Sequence, residues 1–346
     1  MRKYPFVWLV LCTCVSTLSI AQNADSAAFY HQKGVAEQQA RRYREAEKNF
    51  AKADQFAPNT AVTLIEWGNV LTAQNRYMEA REKFLKAEAK EPDNPVVIEN
   101  LATLSLNVRK WADAIRYAQK MQEKKIGNKP LNFVIAKSYY EMDNFGEALK
   151  YCEKAFRDDS TKAEVPYIAA RCFVEMSNYK RAEGCYQQAI ARDPNNANWM
   201  FEAGMVAYAI PDDKKAVYWF EMAGEKGYKR TDVYLENLAN AYLNLKEYDK
   251  GLPLLKAVLE HKPQDVELLY NVGDAYYRSG KYQDAIDTWD QILVIDKKNS
   301  NALYMIGMAY QKKGDKQKGE QLCNQAIGMD PSLKELRQER KMPGGM

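Results

Sequence analysis

Histidine is nearly missing: His31 and His261 are the only two in 346 residues. That scarcity counts against histidine-ligated metals and against imidazole as a general base. Neither has a cysteine or serine partner at a telling spacing. There is no GxSxG, no HExxH and no glycine-rich loop closing on Lys and Ser/Thr. The local signatures of acyl transfer, zinc hydrolysis and phosphate binding are therefore lacking. No CxxC occurs, so Cys152, Cys172, Cys185 and Cys323 match no zinc spacing. They read as small apolar side chains within helices, and Cys172 with Cys185, on neighbouring helices of one hairpin, is the pair worth testing as a disulfide. No long basic block appears: 50 Lys and Arg are mixed with 46 Asp and Glu for a net charge of +4, which gives no reason to expect nucleic acid. The reading is a non-enzyme with no metal and no cofactor.

The one apolar run lies at the start, in "MRKYPFVWLVLCTCVSTLSIAQ". Arg2 and Lys3 precede it, it extends from Phe6 to about Leu18, and Ser19-Ile20-Ala21 places small residues where signal peptidase cuts. It is shorter than the roughly 20 residues that span a bilayer. Thr13-Cys14 is a poor lipoprotein site, because apolar sequence runs on past it. Residues 1–21 are expected to be a signal peptide cleaved after Ala21, followed by a short segment 22–26, and the protein is expected to be exported, to the periplasm. Any membrane association would then be indirect, through an envelope complex.

What the chain has instead is a period. Gly34, Gly68, Ala102, Ala136, Ala170 and Gly204 stand 34 apart, and after one inserted residue come Ala239, Gly273 and Gly307. A second series, Ala46, Ala80, Ala114, Ala148, Ala182, Ala216, Gly251, Ala285 and Gly319, follows each by twelve. Helices approach most closely, at about 8–10 Å between axes, where side chains are small, so the two series mark the contact within a helical hairpin. An aromatic residue stands three before the second series in seven of nine copies: Tyr43, Tyr77, Trp111, Phe145, Tyr179, Tyr248 and Tyr282, with Asp213 and Lys316 as exceptions. Four after it come Phe50, Phe84, Tyr186, Phe220 and Trp289. Pro58, Pro92, Pro194, Pro263 and Pro331 close repeats, where proline ends one helix and leads into the next. Pro166 and Pro253 fall early in helices, with a slight kink at most.

This pattern resembles the tetratricopeptide repeat family. The expected fold is all-α, nine helix-turn-helix repeats stacked into a right-handed superhelical solenoid. The repeats are read as 27–60, 61–94, 95–128, 129–162, 163–196, 197–231, 232–265, 266–299 and 300–333, with 334–346 a capping turn and flexible tail. The third departs at Ala118 and Met121, and the sixth has "IPDD" for its turn glycine. The resemblance implies that the first helix of each hairpin lines a concave groove that takes extended or helical protein segments. Candidate groove residues are Phe133, Lys137 and Tyr140, then Tyr167 and Arg171, then Phe201, Met205 and Tyr208. An asparagine row follows, Asn237, Asn240 and Asn244, then Tyr270, Asn271, Asp274 and Tyr277. Lys137 and Arg171, flanked by aromatics, suit a partner bearing carboxylates and apolar groups. Asparagine amides can pair with any extended backbone. The clamp of chaperone-binding relatives is missing, since Ile65 stands where a lysine would be needed beside Asn69. The expected function is a non-catalytic interaction scaffold of the bacterial envelope, in outer-membrane biogenesis, secretion or polysaccharide assembly. A periplasmic peptide-binding chaperone and a glycan-binding accessory protein are the alternatives.

Overall fold

The computed structural model describes residues 6–127 and 130–334, with side chains from residue 23 onward. The first five residues of the expected signal peptide and the side chains of its remainder lie outside the described residues, as do residues 128 and 129 and the tail from 335. Among the described residues no helix is long and apolar enough to cross a membrane.

Two compact units divide the chain, Met1–Met176 and Ser177–Met346. The first contains α1 (Phe6–Gln39), α2 (Tyr43–Phe56), α3 (Ala61–Ala73), α4 (Tyr77–Glu88), α5 (Pro95–Asn107), α6 (Trp111–Lys124), α7 (Asn132–Tyr140), α8 (Phe145–Asp158) and α9 (Glu164–Glu175). The second contains α10 (Tyr179–Arg192), α11 (Ala197–Ala209), α12 (Asp213–Glu225), α13 (Asp232–Asn244), α14 (Tyr248–His261), α15 (Val266–Arg278), α16 (Tyr282–Ile295), α17 (Ser300–Lys313) and α18 (Lys316–Met329). These eighteen helices, with no strand among the described residues, fit nine two-helix repeats. In each unit a helix packs chiefly on its neighbours in sequence.

Both small-residue series are buried at all eighteen positions. Size matching explains most of the choice between glycine and alanine. The rings of Phe50, Phe84 and Phe220 lie over Gly34, Gly68 and Gly204, where an added Cβ would sit 2.6 Å from ring carbons, and Trp289 covers Gly273 in the same way. Where the covering residue shrinks to Ala118 or Cys152, the partner is Ala102 or Ala136, and both remain buried. Gly307 and Gly319 meet backbone to backbone: a Cβ on Gly307 would lie 2.8 Å from the Gly319 carbonyl oxygen.

The aromatic three residues before the second series is the first residue of its helix, and Asp213 and Lys316 hold the same place in α12 and α18. Two residues earlier the chain turns through a left-handed residue in eight repeats, at Arg41, Asn75, Arg109, Asp143, Ser177, Lys246, Gly280 and Gly314. The turn thus takes a positive φ in those eight repeats, while glycine supplies it in only two. Pro253 lies inside α14, and Pro166 in the first turn of α9. Near the end of the sixth repeat, where the extra residue falls, Tyr228 stacks on Phe201 with ring centres 4.4 Å apart.

Candidate partner-binding surface

In the first unit α7 and α9 are both first helices of their hairpins, and they touch. They carry Phe133, Lys137 and Tyr140, and Tyr167 and Arg171. Tyr140 is 9% exposed and packs into the core with Ala148, Cys152 and Ile168. Burial pushes its phenol pKa up, against the opposing pull of Arg171. The Arg171 guanidinium lies 5.0 Å from the Tyr140 ring centre and 6.0 Å from that of Tyr167. Tyr140 is therefore a platform that orients a cation rather than an open contact. Phe133 is half-buried under Lys162, whose Nζ is 4.6 Å from its ring centre. Lys137 is exposed and forms no ion pair among the described residues. A solvated ammonium and a stacked guanidinium thus occupy equivalent places on adjacent helices.

In the second unit the candidates separate into two kinds. Phe201 sits between Tyr228 and Phe220, 5.4 Å from the latter, and Tyr208 packs into the same core. Met205 is exposed. The Asn237 amide donates to the Val233 carbonyl of its own helix at 2.8 Å, and the Asn244 amide donates to Asp213 Oδ1 at 3.0 Å. Those donors are engaged within the chain, so a backbone-reading row is reduced at both ends. Asn240 is half-buried and Asn271 exposed. Tyr270 and Tyr277 lean on Trp289 at 6.2 and 6.0 Å, and the Trp289 indole N–H donates to the Tyr270 carbonyl at 3.3 Å. Asp274 lies 3.9 Å from Arg278 one turn along.

The surface also includes Gln38 and Glu66, which the sequence did not single out, beside Asn69. A cleft of about 470 Å³ in the first unit is lined by Gln38, Glu66 and Asn69 among others. Glu66 Oε2 accepts from the Gln38 amide at 3.1 Å and the Asn69 amide at 3.3 Å. Asn69 stands two periods before Lys137 in the numbering, so the repeat itself was the available signal. His31 is half-buried, its Nδ1 3.2 Å from Thr63 Oγ1 and its ring 5.7 Å from Phe50. Among the described residues Cys152, Cys172, Cys185 and Cys323 form no disulfide; Cys152, Cys172 and Cys323 are buried, and burial raises the Cys185 thiol pKa.

Comparison with known proteins gives a consistent picture of the fold. A tetratricopeptide repeat sequence model matches residues 167–228 and 237–300, and a second matches 300–333. The model of anaphase-promoting complex, cyclosome, subunit 3 matches 107–189. No curated protein matches. Among solved structures, the C-terminal part of a TPR repeat-containing protein from Cytophaga hutchinsonii aligns at TM-score 0.50 and 21% identity, over 70% of this chain and 98% of that one. The Naa15/Naa10 complex bound to HypK-THB aligns at 0.50 and 13% identity, over 90% of this chain and 60% of that one. YrrB, a TPR protein with an unusual peptide-binding site, aligns at 0.46 and 21% identity, over 55% of this chain and 98% of that one. At these identities the likeness concerns the fold. Two buried small-residue series at one period, the hairpins they close and the matched repeat models agree: the chain belongs to the tetratricopeptide repeat family.

Proposed function

We propose that this chain is a non-catalytic scaffold that holds segments of other proteins against the first helices of its hairpins. The observation that carries this reading is the Lys137–Arg171 pair: one cation stands free in solvent, the other lies on the aromatic platform of Tyr140 and Tyr167. A platform that orients a guanidinium favours carboxylate-bearing segments with apolar neighbours. Asn240 and Asn271 supply amides for a partner's backbone in the second unit.

The proposal extends to the periplasm of a bacterial envelope, on the strength of Arg2, Lys3, the apolar run and the Ser19-Ile20-Ala21 cleavage pattern. There the protein would organise a secretion, outer-membrane or polysaccharide assembly. Edman sequencing of the protein from a periplasmic fraction should begin at Gln22. Recovery from the cytosol with Met1 retained would remove the compartment.

The scaffold reading is tested by affinity capture from envelope extract. Wild type should retain a few proteins in stoichiometric amounts, and Lys137→Glu should release them with the helical circular dichroism unchanged. Capture of many proteins at low occupancy would favour a chaperone, and undiminished capture by Lys137→Glu would move the interface elsewhere. Lys137 is the preferred position because Arg171 also packs on the core tyrosine.

A further inference from the structure

The sequence contains no long basic block, yet the fold gathers one. In the first unit the second helices of three successive hairpins, α2, α4 and α6, start after Arg42, Arg76 and Lys110, and no side chain caps any of the three. In later hairpins Asn144, Asn178, Asp212 and Asp315 hold that position and accept a helix N–H. A cation is the wrong residue there, because it leaves helix N–H groups without an acceptor and faces the positive end of the helix dipole. Lys281 repeats the exception once in the second unit, but Glu247 and Asp315 hold the cap position in the repeats either side of it. The residue before the cap is also cationic in two of the three hairpins: Arg41 and Arg109, both left-handed at φ 58° and 55°.

Most of this charge is uncompensated. Arg42 pairs with Glu37, and Arg76 with Glu47 and Glu79. Arg41, Arg44, Arg109 and Lys110 are exposed and form no ion pair among the described residues. A cavity of about 410 Å³ opens at the first turn, lined by Arg41, Arg42, Arg44, Tyr43, Glu45 and Gln74. The Gln74 amide nitrogen is buried with no acceptor. Guanidinium groups, an uncapped helix start and an orphan amide donor all call for the same thing, an acceptor oxygen carrying negative charge.

We infer that the rim formed by the α1–α2, α3–α4 and α5–α6 turns is a docking site for an acidic protein segment, one carboxylate of which enters the cavity at Gln74. Glu45, Glu79 and Asp113 stand in the first turns of the same helices and pair with Lys48, Arg76 and Arg81. Interleaved carboxylates repel a densely charged polyanion but leave room for a peptide whose own carboxylates are spaced along an extended chain. This site lies on the turns and shares no residue with the Lys137–Arg171 surface.

The test is a fluorescence-anisotropy titration of the full chain with a labelled Glu-Gly-Ser repeat dodecapeptide at low and physiological salt. Wild type should bind saturably, with affinity falling as salt rises. The Arg41→Ser/Arg44→Ser/Arg109→Ser/Lys110→Asn variant should bind at least tenfold more weakly. Removal of the same charge elsewhere, by Lys229→Ser/Arg230→Ser/Lys256→Ser/Lys297→Ser, should leave binding within twofold of wild type, as should Lys137→Glu. Arg42→Asn with Lys110→Asn should raise the melting temperature by a few degrees while weakening the peptide, because each restores a cap. Equal loss in the distant-charge variant, a fall in melting temperature on capping, or preferential binding to phosphatidylglycerol vesicles over the peptide would each overturn the assignment.

Discussion

At the scale of single residues the protein is governed by what cannot fit. Gly68 is glycine because Phe84 already occupies the space of a Cβ. Gly68→Ala should cost about 1–3 kcal/mol in urea denaturation, the usual penalty of overpacking. Phe84→Leu should make the two changes non-additive, with part of the Gly68→Ala penalty recovered in the double variant. Additive losses would disprove the contact. Elsewhere glycine answers to backbone shape: Gly280 has φ 81° with open space around it. Gly280→Ala should cost about 1 kcal/mol through the left-handed conformation alone, without any rescuing partner, and a neutral result would refute that account. Both small-residue series were visible in the sequence as a period, but the pairing of ring size with glycine was not, because partners sixteen residues apart meet only once the hairpin closes.

At the scale of elements, helix ends tie together the two helices of a hairpin. Asp232 begins α13 and its Oδ1 lies 2.8 Å from Nδ1 of His261, the last residue of α14. His261 beside it holds the Asp232 carboxyl below its ordinary value of 3.8, with Lys262 adding to the effect. A lowered folded-state pKa means stability that is complete above about pH 4 and is lost as pH falls through the lowered value. His261→Gln should therefore bring the Asp232 carboxyl, followed by NMR, back up toward 3.8, and an unmoved titration would show the pairing to be incidental. The arrangement recurs at the end of α6, where Lys124 beside Asp93 lowers that carboxyl in the same sense. Helix starts were legible wherever proline or Asn marked them, as at Asn94-Pro95, where the Asn94 side chain accepts from Val96 and Val97. They were not legible at Arg42, Arg76 and Lys110, where local preference points away from a helix start and packing of the following aromatic overrides it.

At the scale of the molecule, contacts run almost wholly between neighbours in sequence within each unit. Leu101, fully buried in the core shared by α3 to α6, tests that organisation. Leu101→Ala should cost about 2–5 kcal/mol, and amide exchange should quicken most in α4 to α6 and progressively less toward α8. A uniform effect across the first unit would refute nearest-neighbour coupling. The amino-acid order alone was enough for the helical class, the period and the small-residue contacts, because these arise from short-range packing within one hairpin and recur at a constant interval. Which polar groups are open to a partner was settled by the folded arrangement. Asn237 and Asn244 turn their amides to the chain itself, Tyr140 turns into the core, and cations a full repeat apart come to share one edge. Those outcomes depend on distances between residues far apart in the chain, which a one-dimensional period does not contain.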